Sequence, residues 1–404
     1  MRNRIRSKKI EMDPINLYNE ITKQHQQENG SMKSITEILG GSQMLLGISY
    51  EIQDIFEEYL TEEHRTFLAL LRLLEAHQPQ FCSPYQGRGR IPYDDQPIFR
   101  AFLAKIFFKI DTQVDLISRL KSDASLRNIC GFTTVPSAAT LSRRMTRFAD
   151  IHAMEQVLNH MVKAYHTQKL VGHISRDSTS IAAREKPVNK KKDVAIKPKR
   201  KRGRPKKGEE KQKKEQKRLT RQISLKPQKA LRELDSKCAW GCKKNSHGNI
   251  GFWKGYKLHL DVTDMGIPCA AAVTGANVHD SQVSIPLEKI SEKTVTHLYS
   301  LMDAAYDAPE IRNYSAAKGR IALIDHNKRR KDSRPPMDPA QKKRFGIRST
   351  VERSNSHLKD WLLPSKLMVK GIKKVTFILM SGVVCLAAMK ILQYFILPTL
   401  QSET

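Results

Sequence analysis

Residues 184–232 hold 22 Lys and Arg against five acids, with almost none of the apolar periodicity that a packed helix or strand requires. A block of that kind cannot bury enough surface to offset the entropy of ordering it. It reads as an insertion, disordered or partly helical, so the folded parts of the chain must be built from the stretches on either side. It also carries more than half of the net charge of +30. Such an excess points to a polyanion, nucleic acid or an anionic membrane surface.

Within the insertion, KRKRGRPKK (199–207) resembles an AT-hook, in which Arg202 and Arg204 would lie in a narrow A·T-rich minor groove. Sequence-independent phosphate binding is the stronger reading of the same residues. Gly203 and Gly208 have P-loop spacing, but Glu209 and Glu210 stand where the phosphate-binding Lys and the metal-binding Ser/Thr are required. No nucleotide site is expected there. The most apolar stretch, 375–397, is interrupted by Lys390 and diluted by Ser381, Gly382 and Gln393, so it reads as a buried helix and not as a membrane span. The basic first residues have no apolar run behind them and do not form a secretory signal. Six cysteines in 404 residues do not make a disulfide framework. The expected location is the reducing cytoplasm of a bacterium, at the nucleoid when DNA is bound.

Before the insertion the period is helical. Leucines recur at 68, 70, 71, 73 and 74, apolar residues at 98, 99, 102, 103, 106 and 107, and again at 114, 117 and 120. Pro136-Ser137 reads as a helix start with Ser137 as N-cap and Leu141, Met145 and Phe148 on the buried side. Arg143, Arg144 and Arg147 fall largely off that stripe, as on a helix that reads a DNA groove; a solvated basic surface is the alternative. After the insertion the period shortens. Strands are expected at 170–178, 256–263, 269–274, 298–303 and 320–325, with helices at 284–293 and 308–318. The order βββαβαβα implies a mixed sheet with flanking helices, an α+β chain. The divisions are an N-terminal arm (1–49), a helical DNA-binding domain (50–166) and a catalytic domain (167–400) interrupted by 184–232.

Three acids fall where a sheet can gather them: Asp177 and Asp303 at strand ends, and Glu352 in the helix-compatible run 348–359. Oxygen ligands suit a hard divalent cation, and two such ions can activate the attacking oxygen and stabilise the leaving oxygen at one phosphorus. At about 100° per residue, Arg348, Glu352, Asn355 and Lys359 share one helical stripe. That stripe is either a salt-bridge ladder or a metal ligand flanked by two phosphate-binding cations. Asp280, in Asn277-Val278-His279-Asp280, is the reserve candidate for second ligand, with His279 as a proton carrier; a structural turn is the plainer reading. Cys238, Cys242, His247 and His259 lack the short-range pairs of a zinc site. Trp240, Trp253 and Trp361 read as buried aromatics before base-stacking ones.

Phe345-x2-Arg348-x3-Glu352-x6-Lys359 resembles the Y-x2-R-x3-E-x6-K signature of bacterial DDE-type insertion-sequence transposases, with Phe in place of Tyr. Asp303-Ala304-Ala305-Tyr306 resembles their D-x-G-Y element, with Ala305 where Gly is usual, and Arg176-Asp177-Ser178-Thr179 resembles the end of their first-Asp strand. The segments 126–131 and 136–148 resemble the domain that precedes those cores, so the likeness spans most of 65–392. It implies a ribonuclease-H-like fold with a five-stranded mixed sheet. It further implies Asp177, Asp303 and Glu352 as ligands of Mg²⁺ (or Mn²⁺), and Arg348 and Lys359 as DNA contacts near the scissile phosphate. The implied partner is double-stranded DNA, both transposon ends and target, held by a homodimer that cleaves at the terminal inverted repeats and joins the 3′-OH to target DNA. A nuclease of the same fold without strand transfer and a non-catalytic DNA-binding protein are the alternatives.

Overall fold

The computed structural model describes residues 60–81, 92–166, 169–188, 216–244, 248–326 and 336–396. The N-terminal arm, Arg202, Arg204 and the AT-hook-like run, and His247 lie outside the described residues. The first described part is helical: α1 (Glu62–Glu75), α2 (Asp95–Phe107), α3 (Gln113–Ser122), α4 (Ala124–Cys130), α5 (Ala138–Asp150) and α6 (Ala153–His166). Their starts are written in the sequence. Thr61, Thr112, Asp123 and Ser137 each accept a backbone N–H of the first turn through their side chains, meeting donors that the helix itself cannot pair. The apolar stripes expected from periodicity are buried, Leu141, Met145 and Phe148 among them.

The second part comprises β1 (Leu170–Ala182), α7 (Arg218–Ser224), α8 (Pro227–Arg232), β2 (Ala239–Lys244), β3 (Ile250–Thr263), β4 (Pro268–Gly275), α9 (Ser281–Ser291), β5 (Thr296–Met302), α10 (Pro309–Ala317), β6 (Ile321–Ile324), α11 (Pro339–Phe345), α12 (Ser349–His357) and α13 (Ile372–Ile391). The sheet is mixed. Its path is β2-β3-β1-β5-β6, with β4 also on β3; β1, β2 and β4 run antiparallel to β3, whereas β5 runs parallel to β1 and to β6. Because β1 occupies one edge of β3, β2 and β4 share the other, β2 along 250–255 and β4 along 256–262.

Two expectations need correction. The sheet has six strands where five were implied: β2 was missed because Ala-Trp-Gly-Cys-Lys-Lys has no apolar alternation and becomes a strand only by pairing with β3. β1 does not stop at residue 178 but runs to Ala182, so Asp177 stands within the strand. The basic block, read as disordered or partly helical, is helical over its last residues. These form α7 and α8, where Gln222 and Ala230 are buried and Lys289 of α9 donates to the carbonyls of Gln222, Ile223 and Leu225. A few apolar residues among the lysines suffice to dock two short helices.

One continuous apolar core joins both parts, because α13 packs against α1, α2, α5, α6 and β4 at once. Residues 372–396 are long and apolar enough to cross a membrane, yet most of that stretch is enclosed by the protein. Its Val383, Val384, Leu386 and Ile391 are buried, each worth about 1.5–3 kcal/mol in removal from water.

Candidate active site

The register of β1 against β5 sets Leu170 level with Thr296 and Ser175 level with Leu301. Carried two residues further, it sets Asp177 level with Asp303 on the same face of the sheet. Asp303 is fixed there as the cap of a 3-10 turn, Ala304–Tyr306, whose Ala305 N–H donates to Asp303 Oδ1 at 3.0 Å. Ala305 is not in the left-handed region, so this turn accepts the methyl that replaces the usual glycine.

Both carboxyls feel their burial. It pushes Asp177 up to about 6, against the pull of the Arg348 charge, and the neighbouring Asp303 adds to the rise. Asp303 is also raised by burial, although the Ala305 N–H and Arg348 draw it down, and Asp280 adds to the rise. Two partly buried acids, close enough for one to raise the other and only partly offset by cations, form an oxygen donor set suited to a hard divalent ion. A second sign is an orphaned donor or acceptor on each side. Among the described residues the buried Asn355 Oδ1 has no hydrogen-bond partner, and neither does the hydroxyl of Tyr306, which lies within the fields of Asp177, Asp280 and Asp303.

The stripe predicted on α12 faces this pair. Asn355 Nδ2 donates to Asp177 Oδ2 at 3.1 Å, Thr350 Oγ1 donates to Ser175 Oγ at 3.2 Å, and Lys359 Nζ reaches Ser180 Oγ at 3.5 Å. The helix is not uniform as expected, since a 3-10 turn (Gly346–Arg348) precedes α12 and a π turn (Leu358–Leu362) carries Lys359. Glu352 is the outlier. Its side chain is 58% exposed and accepts from Arg348 Nη1 at 2.9 Å, and among the described residues no three His, Cys, Asp or Glu side chains converge as an ion site. The structure thus brings Asp177 and Asp303 together and leaves Glu352 beside them, tied to an arginine whose charge acts on both.

Asp280 is closer to this pair than a structural turn required. Lys257 Nζ donates to Asp280 Oδ1 at 2.9 Å and to the Val278 carbonyl. Burial works against its charge, but the Lys257 ammonium holds Asp280 below the usual carboxylate range. His259, pushed down to about 4 by burial, is neutral beside it, and its Nε2 bonds to Thr274 Oγ1. His279 pairs instead with Ser281 Oγ at 2.9 Å. Sequence reasoning missed Lys243, whose charge acts on Asp177, Asp303 and Lys359. It lies on the unforeseen β2.

Elsewhere the expected DNA contacts divide. Arg144 Nη1 and Arg147 Nη1 pair with the two oxygens of buried Asp95 at 2.9 and 2.7 Å, and Arg144 Nη2 also donates to the Tyr93 carbonyl. These two arginines fasten α5 to α2, whereas Arg143 is exposed. The pairing was not visible because Asp95 lies far away in sequence. Cys238 donates to the Glu185 carbonyl, and Cys242 is exposed, which gives the zinc grouping no support. Trp240 and Trp361 are 60% and 42% exposed, where buried aromatics were expected.

Residues 54–147 match the family described as "Transposase domain (DUF772)" and residues 172–387 match that described as "Transposase DDE domain". Neither the curated proteins nor the solved structures contain a match. The second family covers more than half of the chain and includes both aspartates, Glu352 and all of the ribonuclease-H-like sheet but the first two residues of β1. The protein therefore belongs to the DDE transposase family.

Proposed function

We propose that this transposase binds double-stranded DNA at the terminal inverted repeats of an insertion sequence, hydrolyses a phosphodiester bond there and transfers the freed 3′-OH to target DNA. Asp177, Asp303 and Glu352 are its ligands for Mg²⁺ or Mn²⁺. The observation that carries this reading is the placement of Asp177 in β1 beside Asp303, which follows the end of the parallel β5, both partly buried and both raised by that burial. Divalent metal, when bound, supplies activation of the attacking oxygen and stabilisation of the leaving oxygen at phosphorus.

The remaining work falls to the chain's own groups. Asn355 holds Asp177 by its Oδ2. Arg348 and Lys359, with Lys243, form a cationic border that receives the phosphates on either side of the reacting one. Glu352 is held away by Arg348. A phosphate at Arg348 competes for that guanidinium and frees the carboxylate to complete the ligand set. Pairing of two transposon ends calls for a homodimer in the assembled complex.

The test is Mg²⁺-dependent nicking of an end-containing duplex by the wild type and by Asp177→Asn, Asp303→Asn and Glu352→Gln. Each variant should lose at least about 100-fold in rate, the low end of what removing an essential catalytic group costs. Full activity in any one removes that residue from the site. Pre-cleaved ends that yield no joined product leave a nuclease without strand transfer.

A further inference from the structure

The β2–β3 ribbon leaves the sheet where Gly255 crosses Ala182, a point where an added Cβ would run into the Ile181 carbonyl. Beyond it, β2 pairs only with the first half of β3. Cross-strand partners share a face, so Trp240 with Lys254, and Cys242 with Phe252, stand on one side, with Ile250 beyond them. That side is bare: Trp240, Ile250 and Phe252 are 60%, 60% and 71% exposed. On the other side Trp253 lies over Gly241 and donates its indole N–H to the Tyr256 carbonyl. Lys243 occupies the same side and acts on the acid pair.

A two-stranded ribbon is marginal in water, and three large apolar side chains on one face of it need a cover. The charge identifies that cover. Residues 237–255 contain four lysines and no acid, so two copies of the ribbon would repel, whereas a phosphate backbone would be attracted. Aromatic side chains interleaved with lysines are what a nucleic-acid strand uses, rings for bases and ammonium groups for phosphates.

We propose that the β2–β3 ribbon is a DNA-binding arm of the active site, in which Trp240 and Phe252 stack on bases unpaired at the reacting end while Lys243, on the opposite side, meets the phosphate backbone beside Asp177 and Asp303. This rests on the reading that the acid pair cuts DNA.

The experiment uses the full-length chain in EDTA and an end-containing duplex with two unpaired nucleotides, one of them 2-aminopurine, at the reacting end. The wild type should quench the 2-aminopurine, and Trp240→Ala/Phe252→Ala should lose the quenching and about tenfold in affinity per ring. Trp240→Phe/Phe252→Trp, which keeps both rings, should restore both. Alkylation of Cys242, followed on its own peptide, should be slowed by DNA in the wild type. Unchanged quenching and affinity in the double-alanine variant overturns the proposal. So does a shift of that variant from dimer to monomer with unchanged DNA affinity, which makes the face a contact between copies. Quenching by a wild type that never nicks DNA in Mg²⁺ supports the arm and overturns the cleavage reading, so the two failures are distinct.

Discussion

Arg176→Met should remove about 4 kcal/mol of folding stability without touching the acid pair. Arg176 precedes Asp177 in β1, and alternation along a strand sends its side chain to the opposite face, where α9 covers it. There it is 1% exposed, with Nε and Nη2 on the two oxygens of Asp261 at 2.6 and 2.7 Å, and Nη1 on Ser284 Oγ at 2.8 Å and Glu288 Oε2 at 3.5 Å. Asp261 and Glu288 are both fully buried. Unit charges about 4 Å apart attract by roughly 4 kcal/mol at an effective dielectric near 20, and removing one partner of a buried pair typically costs about 3–5 kcal/mol. Methionine keeps the unbranched stem, so the loss reports charge more than volume. Against a total of about 5–15 kcal/mol for an ordinary domain, the change is large, and urea unfolding followed by circular dichroism measures it. Burial already raises Glu288 while the Arg176 charge draws it down. With the arginine gone the folded-state acid rises further, and a carboxyl raised on folding destabilises more as pH increases. The variant should therefore lose more at pH 8 than at pH 5. Asp261→Asn in the same background should recover at least about 1 kcal/mol relative to the sum of the single changes. A loss under about 1 kcal/mol, or strictly additive changes, refutes the view that this cluster anchors β1 to α9.

Arg144→Ala and Arg147→Ala should each lower stability by about 1–3 kcal/mol, the cost of leaving a buried polar group less compensated, because each removes one of the two cations paired with buried Asp95. Arg143→Ala should leave the melting temperature unchanged; if instead the first two variants melt as the wild type and shed salt-dependent DNA affinity, α5 is a groove reader after all. For the metal, Asp177 raised to about 6 means that protons compete for the site below that pH. Apparent Mg²⁺ affinity from thermal shifts should rise about tenfold per pH unit between pH 4 and pH 6 and level off above, and Asp177→Asn should abolish the bend. Affinity independent of pH over that window excludes Asp177 as a ligand.

Much of the helical part was legible because its signals are local. Thr61, Thr112, Asp123 and Ser137 announce helix starts, and apolar residues at helical spacing mark the faces that reach the core. The strand carrying Asp177 and the strand that Asp303 follows were legible for the same reason, as apolar runs of strand length. β2 was not, since its sequence gains strand geometry only from β3. Nor were the partners of Arg144, Arg147 and Arg176, which come from elements far away in sequence.

Local spacing was thus enough to determine the class of fold, the three candidate acids, and the stripe of Arg348, Glu352, Asn355 and Lys359 that pairs one of them with cations. Only the tertiary structure decided which of these meet. The parallel register of β1 and β5 makes neighbours of Asp177 and Asp303, the docking of α12 gives Asp177 to Asn355 while Arg348 keeps Glu352, and the path of β2 brings in Lys243. The reason is physical: side-chain period is a property of a few consecutive residues, whereas register and docking are set by burial and charge pairing between segments that the sequence keeps far apart.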